Sequence, residues 1–218
     1  MNKDMEFING EKDYWGKIYT DIAYAISEIS PFLSENKLKS RKYYIKSSVL
    51  QDYIKLLDSA ELDVKKVSFL SLFKTAPSIN KAKNYKIKNQ KAFKDLEKCA
   101  KCTCLNCAFD CKFKSCSSCR ENSYIHSCDK ERVNVRKHDN FIVDLTNNDT
   151  GCSAKYRVLA TIEDCILDKQ YILLENIINI DDKLVLYYYP GIKETSYGEI
   201  TDAEEFDFIV ETYQSSDY

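Results

Sequence analysis

Eight of the ten cysteines in this 218-residue chain fall within thirty residues: Cys99, Cys102, Cys104, Cys107, Cys111, Cys116, Cys119 and Cys128, with His126 just before the last. Three pairs, Cys99/Cys102, Cys104/Cys107 and Cys116/Cys119, have C-x-x-C spacing, which brings two thiolates to one ion as the intervening backbone turns. The stretch is poor in apolar side chains, chiefly Leu105, Phe109, Phe113, Tyr124 and Ile125, so it needs a staple to fold. A structural zinc ion supplies roughly 10–16 kcal/mol of folding free energy per site. Eight thiolates suffice for two closed tetrahedral sites, and His126 can replace one of them.

Spacing does not say which ligand serves which ion. One partition sets Cys99 and Cys102 with Cys116 and Cys119, and leaves Cys104, Cys107 and Cys111 with Cys128 or His126. Cys102 and Cys104 are close enough that a bridging thiolate, or a compact two-metal cluster, stays open. Iron–sulfur ligation competes for the same residues, but the run C-x2-C-x2-C-x3-C-P is not matched and no Pro follows any of these cysteines. Disulfides suit short exported chains better. The expected cofactor is therefore zinc, two ions, ahead of an iron–sulfur cluster.

Other function classes lose support from composition. With five Gly and three Pro, no P-loop or dinucleotide fingerprint can be written on the chain. Only two His are present, and H-E-x-x-H, G-x-S-x-G and protein-kinase signatures are lacking. Neither His126-Ser127-Cys128 nor His138-Asp139-Asn140 carries the Glu of a zinc deaminase. Cys152 and Cys165 stand apart and read as small packing or surface residues. The expectation is a non-enzyme with no catalytic residue and no small-molecule substrate. The densest apolar runs, 67–73 and 171–174, are far below the roughly 20 residues of a membrane span, and the first residues do not lead into a signal-like apolar stretch. A soluble cytoplasmic protein is expected.

Charge is distributed unevenly. Residues 1–35, 36–137 and 138–218 carry net charges of −4, +14 and −12. A basic middle suggests an anionic partner, although Lys outnumbers Arg 27 to 5, which also reflects a compositional bias.

The chain reads as an α+β protein in three parts: a helical domain with a basic linker (1–98), a Cys-rich zinc module (99–138), and an acidic antiparallel β domain ending in a helix (139–218). In the first part Trp15, Ile18, Ile22, Ala25, Ile26 and Ile29 recur at three- and four-residue steps after Asp13, a candidate N-cap, and before Pro31. A second helix is expected after Ser47-Ser48, with Val49, Leu50, Tyr53, Ile54 and Leu57 on one face. A third follows Asp63 with Val64, Val67, Leu70 and Phe73, before Pro77. The turn 59–63 between these two invites a helix-turn-helix reading, in which 64–74 would enter a major groove; it lacks Gly. In 81–88, lysines alternate with Tyr85 and Ile87, as in an exposed strand, a linker or a phosphate-contacting segment.

From Phe141 the pattern turns to period two, with strands expected at 141–145, 155–161, 170–176 and 183–189 in a consecutive antiparallel sheet. Thr201 or Asp202 then caps a helix with Phe206, Ile209, Val210 and Tyr213 on one face, covering one side of the sheet. This third of the chain carries the runs Tyr156-Arg157-Val158-Leu159-Ala160-Thr161, Lys169-Gln170-Tyr171-Ile172-Leu173-Leu174, Lys183-Leu184-Val185-Leu186-Tyr187 and Gly198-Glu199-Ile200 with Glu204-Glu205-Phe206. Over roughly residues 139–213 they resemble the small acidic YrzB-like domains of Firmicutes. That family has no established activity or catalytic residues, so the resemblance implies no site residue.

Two functions follow as expectations. The first is a zinc-dependent nucleic-acid-binding or regulatory adaptor, in which Lys101, Lys112, Lys114, Arg120, Lys130, Arg132, Arg136 and Lys137 contact phosphates and Phe109, Phe113 or Tyr124 stack on bases. The second is a protein-protein regulator, such as a phage or mobile-element inhibitor of a nucleic-acid-processing enzyme. It would act through the acidic Glu199, Asp202, Glu204, Glu205, Asp207 and Glu211. Neither involves a membrane.

Overall fold

The computed structural model describes residues 3–67, 77–109, 111–113, 116, 122–147, 150–191 and 194–216, and these form two compact units of an α+β protein. The helical unit comprises residues 1–100 and 104–108, and the sheet unit residues 101–103 and 109–218.

In the helical unit, α1 (Lys3–Ile29) buries Ile8, Trp15, Ile18, Ile22, Ala25 and Ile29, the expected stripe extended by two turns. The helix starts ten residues before Asp13, which lies in its interior and caps nothing. Met5, Phe7 and Ile8 already continue the apolar face, and Gly10 is tolerated at about 1 kcal/mol. After the short α2 (Glu35–Lys39), α3 (Lys42–Val67) runs back antiparallel to α1. Ile8 packs with Ala60 and Val64, and Lys12 pairs with Asp58 and Glu61 at 2.6 and 2.7 Å.

The expected turn at 59–63 is absent: Leu50, Tyr53, Leu57, Ala60 and Val64 form one buried stripe along an unbroken helix. This removes the helix-turn-helix reading. Nothing in Ser59-Ala60-Glu61-Leu62-Asp63 stops a helix, and Ala60 is needed in the core. Ser47 and Ser48 likewise lie inside α3. Leu70 and Phe73, expected on a third helix, lie outside the described residues.

The segment expected as strand or linker is α4 (Pro77–Lys88), with Pro77 in the first turn, where its missing N–H is tolerated. Ile79 and Ala82 are buried, and Tyr85 turns inward to stack on Tyr53, with ring centroids 6.2 Å apart. α5 (Gln90–Lys101) contributes Phe93 and Leu96 to the same core, where Trp15 and Tyr53 meet Phe93 edge-on at 4.7 and 5.0 Å. A 3-10 turn, Thr103–Asn106, follows.

Among the described residues the sheet unit holds seven antiparallel strands: β1 (Ser123–Cys128), β2 (Val133–His138), β3 (Ile142–Thr146), β4 (Ser153–Asp164), β5 (Lys169–Asn176), β6 (Lys183–Tyr189) and β7 (Ser196–Glu199). Their order is β1-β2-β4-β5-β6-β7. Twelve-residue β4 takes β5 along one edge, while β3 and β2 share the other, β3 on residues 153–157 and β2 on residues 160–164. The four strands expected from sequence pair consecutively as β3-β4-β5-β6, and the sheet departs from that expectation in the additional strands β1 and β2, which precede them, with β2 pairing β4 past β3, and in β7.

A bulge at Leu159, between the pairs Val158↔Leu174 and Ala160↔Leu173, switches the face that β4 presents. Tyr156 and Val158 therefore join Val143, Ile172, Leu174 and Tyr188 on one face, and Ala160 and Ile162 join Val133, Val135, Tyr171 and Leu173 on the other. α6 (Ala203–Ser215) covers the second face through Ile209, Phe208 and Tyr213. Asp202 is the N-cap, its Oδ1 accepting from the Glu205 N–H at 3.1 Å. Phe206, expected on the buried face, is exposed.

Candidate functional site

The cysteine run begins where α5 ends. Cys99 is half-buried on α5 against the helical core, Cys104 lies within the 3-10 turn and Cys107 directly follows it, with the Cys107 N–H donating to the Cys104 carbonyl at 3.3 Å. Buried Leu105 pins this turn to the helical unit. Two donors satisfy its carbonyls: Tyr43 OH donates to Leu105 O at 3.2 Å, and Arg41 Nη2 donates to Cys107 O at 3.1 Å.

The remaining described candidates belong to the sheet unit: Cys102, Cys111, Cys116, His126 and Cys128. Cys111 is exposed and its thiol donates to Phe113 O at 3.4 Å, while Phe113 is buried. His126 sits at a bulge in β1, between the pairs Ile125↔Arg136 and Ser127↔Val135, and its carbonyl accepts from Thr103 Oγ1 at 2.6 Å. Cys128 ends β1 with its Sγ accepting the Lys130 N–H at 3.3 Å. In the same turn Asp129 Oδ1 accepts the N–H groups of Glu131, Arg132 and Val133, each at 2.9 Å. Burial alone would raise the Asp129 pKa, but these bonds and the Arg132 charge outweigh it and hold it below the usual carboxylate range.

Among the described residues no cysteine is in a disulfide, and no group of three or more His, Cys, Asp or Glu side chains is gathered as for a metal ion. Cys119 lies outside the described residues, with the rest of 117–121. The donor set itself, soft thiolates with one imidazole, suits zinc.

The two isolated cysteines differ in their surroundings. Burial pushes the Cys165 thiol up despite the nearby Lys112, and it donates to Glu131 O at 3.4 Å. Cys152 is exposed in the β3–β4 turn.

The basic candidates have different surroundings. Lys101, Lys112 and Lys130 are exposed. Lys130 takes a left-handed backbone conformation, φ +68°, and its Nζ lies 4.5 Å from the ring centroid of Phe109, which is 58% exposed. Lys137 is half-buried on β2 opposite Tyr124.

Arg132 and Arg136 are engaged internally. Arg132 Nε donates to the fully buried Asp164 at 2.7 Å, with its guanidinium 4.1 Å from the Phe208 ring centroid, and Arg136 Nη2 donates to Glu163 at 2.7 Å. Lys114 and Arg120 lie outside the described residues. Local sequence pattern does not reveal Glu163, Asp164 and Phe208 as partners: Glu163 and Asp164 depend on the register of β2 against β4, and Phe208 on the packing of α6.

On the acidic side, Glu204, Asp207 and Glu211 are exposed along α6, whereas Glu205 turns into the sheet. No family model, curated protein or solved structure matches this chain.

Proposed function

We propose that this chain is a non-enzymatic zinc-binding protein whose Cys99–Cys128 segment is ordered by zinc and which contacts nucleic acid. The observation that carries the zinc half is the eight-cysteine run with its three C-x-x-C pairs, none of whose described members is in a disulfide. Candidate ligands are Cys99, Cys102, Cys104, Cys107, Cys111, Cys116, Cys119, Cys128 and His126. The ions supply folding energy, in closed sites that leave no position for substrate. The nucleic-acid half is supported by exposed Phe109 beside Lys130, a stacking plane next to a phosphate-binding cation, with Lys101 and Lys112 also exposed.

Elemental analysis with an absorption spectrum, on protein purified anaerobically without chelator, tests the zinc half. About two zinc ions per chain and no visible band are expected. Iron with sulfide and a visible band would replace this reading with a cluster-based one.

A second reading, regulation of a nucleic-acid-processing protein through α6, is favoured by the exposed row Glu204, Asp207 and Glu211. It predicts that the triple variant E204Q/D207N/E211Q loses a partner retained by the unaltered chain at low salt.

A further inference from the structure

Between Asp63 and Asp95 the sequence holds nine lysines and no acidic residue. Two of these lysines are occupied within the helical unit, Lys65 by Glu61 and Lys86 by Glu11. Lys81, Lys83, Lys88, Lys91 and Lys94 are all exposed on α4 and α5 and form no ion pair among the described residues; Lys83 Nζ lies 4.8 Å from the Phe7 ring centroid. The two helices are separated by a single residue, Asn89. Its N–H donates to Tyr85 O at 3.0 Å and its carbonyl accepts from Phe93 N at 3.1 Å, so the helical bonding pattern carries across the break. At 1.5 Å per residue the row from Lys81 to Lys94 reaches at most about 20 Å, the length of roughly six base steps at 3.4 Å.

We propose that the exposed faces of α4 and α5 form a second, zinc-independent surface that binds the phosphate backbone of duplex nucleic acid without sequence preference. The inference rests on the reading above only for its ligand class, since it shares none of its residues. An interfacial membrane helix would turn a broad apolar face outward, but here the one large apolar side chain exposed on these helices is Ile87, and Tyr85 is stacked inward. A protein interface would centre on aromatic or Arg anchors, whereas Lys is depleted there. The row contains five Lys and no Arg, so it offers flexible point charges for phosphates and no bidentate fork to read a base. Without an exposed aromatic ring to stack on bases, the surface favours a duplex over a single strand.

The test uses the full zinc-loaded chain and two unrelated fluorescent DNA duplexes of about 20 base pairs, measured by anisotropy across a salt series. Both duplexes should bind with similar affinity that falls steeply with salt. The variant K81Q/K83Q/K88Q/K91Q/K94Q should reduce the log–log salt slope by about 4 to 5 and weaken binding more than tenfold near 0.1 M salt; K88Q/K91Q alone should reduce the slope by about 2. Gln keeps helix propensity, and circular dichroism checks the fold.

The proposal is overturned if the unaltered chain does not bind the duplexes, or if the five-lysine variant keeps its slope. Equal binding to phosphatidylserine vesicles, lost in the same variant, would assign the row to a lipid surface and overturn it as well. A parallel K112Q/K130Q variant separates the two readings. Loss of binding there, with the five-lysine variant unaffected, sinks this surface and leaves the zinc-module reading standing; the reverse pattern does the opposite.

Discussion

The carboxylate of Glu205, in the first turn of α6, accepts from donors on two strands. Lys169 Nζ reaches both oxygens at 2.8 Å, Tyr171 OH donates to Oε1 at 2.5 Å, and Tyr187 OH donates to Oε2 at 2.8 Å. Burial pushes the Tyr171 and Tyr187 phenols up, and Glu205 adds to it. For Glu205 itself burial acts upward, but the ammonium and two phenols outweigh it and hold its pKa below the usual carboxylate range. Because the folded value is lowered, the stability this group contributes is full above the unfolded value of about 4.3 and is lost as pH falls through the folded value. Glu205→Gln keeps the size but removes an acceptor and the charge, so a loss of about 1–3 kcal/mol in urea unfolding at pH 7 is expected. The gap between the unaltered chain and the variant should shrink as pH is lowered from 5 to 3. A gap that stays constant over that range would show that the carboxylate charge is not what ties α6 to the sheet.

At the level of elements, β4 decides how the sheet unit is assembled, and its construction shows what sequence can and cannot reveal. Strand β6 lies at 183–189 as period two predicts, and Asp202 caps α6 as its position predicts, because both depend on local pattern and local chemistry. The bulge at Leu159 depends on the pairing partner β5, and the sharing of one β4 edge by β2 and β3 depends on long-range register, neither of which is written locally. β1 and β2 are hard to read from residues 123–138 because Cys and His interrupt the apolar pattern, and only Val133 and Val135 alternate there.

The consequence can be measured on fragments. Residues 139–218 lack Val133 and Val135 and leave the β4 edge at 160–164 unpaired beside apolar Ala160 and Ile162. Residues 122–218 retain both strands. Size-exclusion chromatography with thermal unfolding should show the longer fragment monomeric and cooperative and the shorter one aggregating. A soluble, cooperative 139–218 would mean that β2 adds no essential cover.

For the whole molecule, each unit has a core in which the cysteine run plays little part. The helical core is Trp15, Ile22, Leu50, Tyr53, Phe93 and their neighbours, to which the run adds buried Leu105 and, at the margin, Cys99, Ala100 and Ala108, and the sheet cores lie on β2 to β7 and α6. Spacing raises the expectation of a metal at the run, but which cysteines would share an ion is a three-dimensional property that spacing leaves open. The charge map was legible only in outline. Glu11 of the acidic first segment pairs with Lys86 of the basic middle, at 2.7 Å, inside one unit.

If zinc orders the run while both cores stand without it, metal removal should be a local event. Chelation is then expected to leave helix and sheet signals by circular dichroism largely unchanged while trypsin gains access at Lys101, Lys112, Lys114 and Arg120. Reconstitution with zinc should restore protection, because roughly 10–16 kcal/mol per site holds a segment that has few apolar contacts of its own. Cleavage at the same rate with and without metal would remove zinc as the ordering agent. Collapse of both circular dichroism signals on chelation would instead make the ions part of the global fold, since local and global opening differ by whether the cores survive the loss.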